Sequence, residues 1–374
     1  MRIAMIGQKG FDVGKEGGGV ERHVTELATR MGALGHEVTV YARRAYEKDL
    51  PLGVLVRVLP AIHRKNLEAM THTFLATLDV LRKPYDIVHY HGVGPATLAW
   101  IPRWFKRDTR VVVTFHSRDR FHKKWGRMAR LYLTFGEWAA VWFPHVTIAV
   151  SHAIAVYART TLKHQVIYIP NGAPLKTIEE TNHLEAFHLV PQQYLLSVSR
   201  LVPHKGQHYL IEAFQQLQRE VPELVKGLSL VIVGAETYGV EYQSQLSRLS
   251  AGNPQIRFLG FQQGDVLDQL FAHARLFIHA SEFEGLPVAV LEAMSFGLPV
   301  LVSDIPENIE VLHHTGFTFT SESVPDLVKV LTSLLYHPEV LDVAREQGRA
   351  VIEHYFNWNI ITEETLSTYR SIRH

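Results

Sequence analysis

Two acids, two cations, a run of glycines and two histidines are the residues here whose types and spacing could do chemistry. Glu284 and Glu292 stand eight positions apart in A-S-E-F-E-G-L-P-V-A-V-L-E-A-M-S-F-G-L-P, residues 280–299. Gly285, Leu286 and Pro287 read as a turn after the first acid. A helix-forming run then begins at Val288 and is closed by Gly297 and Pro299. The free N–H groups and positive dipole end of such a helix suit a phosphate or an anionic leaving group. Eight positions is a little over two helical turns, which sets Glu284 at the mouth and Glu292 deeper. Acids also gather at helix starts for the dipole alone, so spacing by itself does not separate a functional pair from a capping one.

Arg200 and Lys205, in S-V-S-R-L-V-P-H-K-G-Q, follow the apolar run Tyr194–Ser199 and precede Gly206. Two cations at a strand end suit a pyrophosphate, since charge-assisted bonds to phosphate are roughly twice as strong as neutral ones. A solvated surface pair is the alternative. Gly17, Gly18 and Gly19 lie just before a helix, where glycines let successive N–H groups approach a phosphate. Their spacing is not G-x-G-x-x-G, and a flexible loop would read the same. The stretch Gly7–Gly19 is long enough to act as a lid. His116 in T-F-H-S and His91 in H-Y-H-G end strands, where a side chain is expected to face a ligand crevice rather than the core. With 22 histidines in the chain, position rather than type singles these two out. No D-x-D and no H-E-x-x-H spacing occurs, so neither a metal nor a cofactor is expected.

The elements that must position these residues alternate between strand and helix, and the pattern is written twice. In the first half, apolar runs at Arg2–Ile6, Glu37–Tyr41, Val54–Leu59, Asp86–Tyr90, Arg110–Phe115 and Val146–Val150 read as buried parallel strands. Helical stretches between them include 20–34, 67–82, 96–105 and 123–142. After Val166–Ile169, the cluster Pro170-Asn171-Gly172-Ala173-Pro174 reads as a linker. The pattern then restarts at Tyr194. The expected architecture is α/β, two doubly wound Rossmann-like domains facing each other across a cleft, residues 1–170 and 171–355. A last helix lies at about 356–374.

At 374 residues the chain exceeds what one core normally holds. It has no cysteine, which excludes disulfides and thiolate metal sites and fits a reducing compartment. It opens directly on a strand, with no leader expected, and no apolar run reaches the length of a membrane span. A cytoplasmic location, with a peripheral one at the inner face of the cell membrane as the variant, follows as an expectation. The net charge of +1 hides a polarity: residues 1–170 hold 25 Lys+Arg against 13 Asp+Glu, leaving 13 against 24 of the totals of 38 and 37. A basic first half could attract an anionic membrane or an acidic acceptor, or the two halves could attract each other. Residues 118–130, R-D-R-F-H-K-K-W-G-R-M-A-R, carry six basic residues with Phe121 and Trp125 among them. They suit an anionic membrane surface or an ordinary helix with a solvated face. No nucleic-acid partner is indicated.

The segment 280–299 resembles the E-x7-E signature of retaining GT-B glycosyltransferases of family 4, and Glu284 and Glu292 match both acids. Arg200 and Lys205 are similar to the family's G-R-x-x-x-x-K-G segment. Further likeness at Lys124–Arg127 and His72–Leu78 is to the bacterial, polysaccharide-building kind. The resemblance spans nearly the whole chain but departs at Phe11–Glu16, before the glycines. It implies a nucleotide-sugar donor, a UDP- or GDP-sugar, and a glycan or lipid-linked acceptor, with sugar transfer that retains anomeric configuration and needs no metal. It also implies roles. Arg200 and Lys205 neutralise the leaving diphosphate together with the N–H groups at Gly285–Val288. Glu284 holds sugar hydroxyls, Glu292 accepts from the ribose, His116 lies near the donor sugar, and Gly18 and Gly19 cover the diphosphate. The backbone around Gly260 is the expected base contact, and His91 and Arg118 are the acceptor contacts. The last helix is expected to cross back to the first domain. The alternatives are a nucleotide-sugar epimerase on the same fold and a non-catalytic nucleotide-sugar-binding protein. A dinucleotide-dependent oxidoreductase is disfavoured because G-x-G-x-x-G is missing after the first strand.

Overall fold

A computed structural model describes the chain except for residues 13, 15–16, 44–48, 63–66, 119, 121–125, 236–240 and 374. Two compact units emerge, Met1–Asn171 with Trp358–His374, and Gly172–Asn357. Each is a parallel-sheet, Rossmann-like α/β unit.

Unit 1 runs β1 (Arg2–Ile6), α1 (Gly19–Ala33), β2 (Glu37–Ala42), β3 (Val54–Val58), α2 (Leu67–Leu81), β4 (Ile87–His91), α3 (Val93–Ala96), α4 (Trp100–Phe105), β5 (Arg110–Phe115), α5 (Arg127–Trp142), β6 (Val146–Ala149), α6 (His152–Thr160) and β7 (Ile167–Tyr168). All its strands are parallel, in the order β3-β2-β1-β4-β5-β6-β7. β4 and most of β1 and β5 are buried, as strands covered on both faces must be. The expected single helix at 96–105 is instead α3 and α4. Pro102 has no N–H for the Leu98 carbonyl, which takes the Ile101 N–H in a tighter turn.

Unit 2 runs α7 (Asn182–Glu185), β8 (Tyr194–Val198), α8 (Gln207–Glu220), β9 (Ser229–Val233), α9 (Glu241–Leu249), β10 (Ile256–Gly260), α10 (Gly264–His273), β11 (Leu276–His279), α11 (Val288–Ser295), β12 (Val300–Ser303), α12 (Pro306–Leu312), β13 (Phe317–Phe319), α13 (Val324–Tyr336) and α14 (Glu339–Tyr355). Its strands are also all parallel, in the order β10-β9-β8-β11-β12-β13. Leu210 and Phe214 from α8 and Leu327 and Leu331 from α13 fill its core against Leu195, Ile232 and Ile278 of the sheet.

The last helix, α15 (Trp358–Ser371), joins unit 1. Trp358, Ile361, Leu366 and Tyr369 enter the same core as Val24, Leu27 and Met31 of α1. Arg110 Nε donates to the Ile372 carbonyl at 2.6 Å, and Arg373 pairs with Asp86 at 3.2 Å.

Candidate functional site

In both sheets the strand order reverses beside the first strand of the unit, at β1/β4 and at β8/β11. Side chains beyond the carboxyl ends of such a pair gather over a natural ligand position.

In unit 2 the loop after β8 carries Arg200 and a turn of 3-10 helix, Pro203–Lys205, and the loop after β11 carries Glu284. β8 and β11 pair through Leu195–Leu276 and Leu196–Phe277, which brings the two loops side by side. Gly206 sets their distance. Its φ is +70°, and a Cβ there would sit 2.2 Å from the Ala280 carbonyl oxygen, so only glycine permits the approach. The Glu282 N–H donates to the His204 carbonyl at 2.9 Å, and the His204 and Phe283 rings stack at 4.5 Å.

Lys205 Nζ consequently forms an ion pair with Glu284 Oε1, the two side chains being 13% and 10% exposed. His279, at the end of β11, completes the group, its Nε2 lying 2.7 Å from Glu284 Oε1 and 2.9 Å from Ser281 Oγ. A carboxylate only accepts, so the His279 Nε2 carries the proton. Burial by itself would raise the Glu284 carboxyl. The Lys205 charge and the His279 hydrogen bond outweigh it and hold the acid well below the usual range. Burial pushes His279 down, partly offset by Glu284. Ser303 Oγ donates to the Ser281 carbonyl at 2.5 Å and Asn308 Nδ2 donates to Ser303, which braces the β11 loop from β12 and α12.

Gly285, Leu286 and Pro287 are buried, and Pro287 caps α11. The Pro287 carbonyl accepts from Val290 and Leu291, while Val288 opens the helix with its N–H outside the ladder. Glu292 is half-buried on the second turn of α11. Arg200 is exposed, and its carbonyl is fixed by Gln207 Nε2 at 2.9 Å. Gly260 ends β10 with φ +66°, its carbonyl accepting from the Gly234 N–H at 2.8 Å. The sequence places Glu284 and Lys205 in one candidate site, and the structure pairs them and adds His279, which was not among the sequence candidates. The signal was present, because His279 ends its strand as His116 nearly does.

In unit 1, His116 directly follows β5. It is buried, with His91 Nδ1 3.2 Å from its Nε2 and the His23 ring centroid 4.7 Å away. His23 Nδ1 donates to Asn171 Oδ1 at 2.8 Å. His89 lies between Tyr369 Oη and Thr114 Oγ1, 2.6 Å from each. Burial keeps all four imidazoles neutral, with His23 pushed down to about 4. His23, His91 and His116 each offer a ring nitrogen within 4.8 Å of the others, the one group among the described residues with metal-ligand geometry. The sequence shows no ligand spacing there because the three come from α1 and the ends of two strands.

The glycine loop also differs from the reading of its amides as free donors. Gly18 N–H donates to Glu21 Oε2 at 2.8 Å and Lys9 N–H to Glu21 Oε1 at 3.0 Å, so an internal carboxylate occupies the helix start. Gly19 opens α1. Arg118 lies over the Tyr157 ring at 5.8 Å. Of the basic segment 118–130, residues 119 and 121–125 lie outside the described residues.

Residues 17–177 match the family described as Glycosyltransferase Family 4, and residues 180–351 match Glycosyl transferases group 1. The O-antigen chain mannosyltransferase B of Escherichia coli is 24% identical over 384 residues, covering 94% of this chain and 96% of that protein. The phosphatidyl-myo-inositol mannosyltransferase of Mycobacterium leprae (strain TN) is 25% identical over 395 residues, covering 100% and 97%. Among solved structures, Anabaena HepE in complex with UDP and glucose superposes with a TM-score of 0.80 at 20% identity, covering 99% of this chain and 100% of that one.

Proposed function

The chain belongs to the GT-B glycosyltransferases of the family 4 type, and from that membership we propose that it moves a sugar from a nucleoside-diphosphate sugar to a hydroxyl of a glycan or lipid-linked acceptor. The observation that carries this reading is the Lys205–Glu284 pair beneath the start of α11. A nucleotide sugar already holds an activated leaving group, so catalysis consists of meeting negative charge as the anomeric C–O bond breaks. Lys205, Arg200 and the N–H groups of Gly285, Leu286 and Val288, leading into α11, meet the departing diphosphate. When the diphosphate takes Lys205, Glu284 is released from its ion pair. It stays ionised and oriented by His279, and accepts from the sugar hydroxyls. Glu292 accepts from the ribose, and the Gly260 backbone contacts the base.

In unit 1 the neutral His116 contacts the donor sugar, His91 and Arg118 serve the acceptor, and Gly18 and Gly19 take phosphate. Residues 1–170 thus form the acceptor-side domain and 171–355 the donor-binding domain. Transfer retains configuration: the acceptor hydroxyl attacks from the face the diphosphate leaves and gives its proton to the leaving phosphate. Glu284 and Glu292 are therefore not paired as glycosidase carboxylates.

The donor is a UDP- or GDP-sugar, a choice supported by the UDP and glucose bound in the HepE structure and by the mannosyl transfer named for the two relatives. Transfer needs no metal, because Lys205 and Arg200 supply the positive charge. The three-histidine group, which could hold an ion, is the observation behind a second reading in which a divalent ion takes part.

The test is incubation of metal-depleted protein with UDP-, GDP- and ADP-sugars and a lipid-linked or oligosaccharide acceptor. Free nucleoside diphosphate and a glycosylated acceptor of unchanged anomeric configuration should appear together. Product without net transfer would indicate an epimerase, and no turnover with intact nucleotide binding a silent binding protein. Activity restored only by added zinc would assign the metal to the histidines.

A further inference from the structure

β4 and β5 pair with His91 opposite Thr114, and side chains two apart on a strand share a face of the sheet. His89 and His91 of β4 therefore line one face together with Thr114 in β5 and His116 just after it. His89 is fully spent, its two nitrogens meeting Tyr369 Oη and Thr114 Oγ1 at 2.6 Å each. His91 and His116 meet each other instead, Nδ1 to Nε2 at 3.2 Å. His23 packs onto this pair from α1, its ring centroid 5.4 Å from that of His91 and 4.7 Å from that of His116.

Asn171, the last residue of the first segment of unit 1, decides which nitrogen of His23 is available. An amide oxygen only accepts, so His23 Nδ1 carries the proton it donates to Asn171 Oδ1, and Nε2 keeps a bare lone pair. That Nε2 is buried and has no hydrogen-bond partner, and neither has His91 Nε2. A buried polar atom left unpaired is costly, and here it stands beside two further imidazoles.

A metal ion answers what the hydrogen bonds leave over. The three rings each offer a nitrogen within 4.8 Å of the others. Two imidazoles on one tetrahedral zinc, each about 2.0–2.1 Å from the metal, stand roughly 3.3 Å apart, close to the separation His91 and His116 already hold. The His23–Asn171 bond is the outer hydrogen bond that fixes the tautomer and orientation of a ligating histidine. Three imidazole nitrogens suit zinc, copper, nickel or cobalt, whereas magnesium takes oxygen ligands. His116 is the shallowest of the three, 7% exposed against 2% for each of the others, so an ion enters from its side.

We propose that His23, His91 and His116 form an inhibitory site for a transition-metal ion of the zinc class. The inhibition rests on the proposed reaction, in which His116 contacts the donor sugar. The nitrogen that ligates the ion is lost to the sugar and the ring is held on the metal, so ion and donor sugar exclude each other. An ion there blocks transfer instead of driving it.

The test is titration of the metal-depleted full chain with Zn2+, Co2+ and Mg2+. Zn2+ should bind at a single site and raise the melting temperature, since it binds the folded state alone. Co2+ should give the intense visible bands of a tetrahedral site, and Mg2+ should do neither. Saturating Zn2+ should abolish sugar transfer, and excess chelator should restore it. His23→Gln should lose the Co2+ bands and the zinc inhibition while transfer in chelator persists. Asn171→Ala keeps all three ligands and should bind Zn2+ about tenfold or more weakly, a second probe that leaves the buried His23 in place. Failure of wild-type protein to bind Zn2+, or wild-type affinity in both variants, would overturn the site. Zinc bound there with transfer unchanged or increased would overturn the inhibition. Absence of transfer under every condition would instead fail the proposed reaction, and the Co2+ spectrum would still decide the site.

Discussion

Lys205 and Glu284 form an ion pair across the carboxyl ends of β8 and β11, on the same Glu284 oxygen that His279 reaches from below. The pair keeps the acid ionised and gives the ammonium a partner before any ligand arrives. Substituting Glu284→Gln therefore leaves a largely buried cation without its counter-charge, at a cost of about 3 kcal/mol. A diphosphate can replace the lost charge. UDP should accordingly bind the variant at least as tightly as wild type by calorimetry and raise its melting temperature more, while turnover collapses. Lys205→Gln should do the opposite, weakening UDP binding. Unaltered turnover in Glu284→Gln would remove this residue from the site.

The histidines of unit 1 predict an acid limit on stability. An exposed histidine in the unfolded chain takes a proton below about pH 6.5, whereas burial keeps His23, His89, His91 and His116 neutral in the fold well below that. The unfolded state binds more protons across that window, so stability is full above pH 6.5 and falls as the pH drops. The slope is about 1.4 kcal/mol per pH unit for each such group. Glu284 adds nothing there, because its lowered pKa makes stability depend on pH only as the pH falls through the ordinary carboxylate range and below. Melting temperature measured from pH 7.5 to 5 should fall steeply, and His23→Gln should make the fall shallower. A flat profile would mean the four rings are not buried and neutral.

The alternating pattern, the two sheets and the Glu284–Glu292 and Arg200–Lys205 segments were legible because each rests on local signals: apolar runs, Pro and Gly punctuation, charges at fixed offsets. The three-histidine group was not, since residues 23, 91 and 116 meet only after β1, β4 and β5 have paired. Glu21 was missed for a different reason. An acid three residues into a helix is a capping signal, but the same loop amides suit a phosphate equally well, and the sequence alone does not say which partner they take. The break before α4 was local and readable, since the donor missing at Pro102 is a property of the residue itself.

Gly206 is the backbone condition for the unit 2 site. Gly206→Ala must accept both a positive φ and a clash with the Ala280 carbonyl. It should lose upward of about 2 kcal/mol and shift Lys205 away from Glu284, so UDP affinity and turnover fall together. Gly227→Ala is the control: its φ is +76°, but a Cβ there meets only the Gln193 side chain, at 3.7 Å. It should lose about 1 kcal/mol with catalysis intact. Equal effects of the two on UDP binding would mean the approach of the loops is not what Gly206 provides.

Glu21 decides whether the glycine loop takes phosphate. Its carboxylate accepts from the Gly18 and Lys9 amides, the donors a phosphate would need. Glu21→Gln keeps the shape, removes the negative charge and weakens the cap by about 1 kcal/mol. If these amides take the donor diphosphate, the variant should melt lower yet bind UDP-sugar more tightly, because the competing charge has gone. If the loop only starts α1, the melting temperature should fall and the affinity should not move. Both readings lower stability, but only the first tightens binding, so titration calorimetry on the variant separates them.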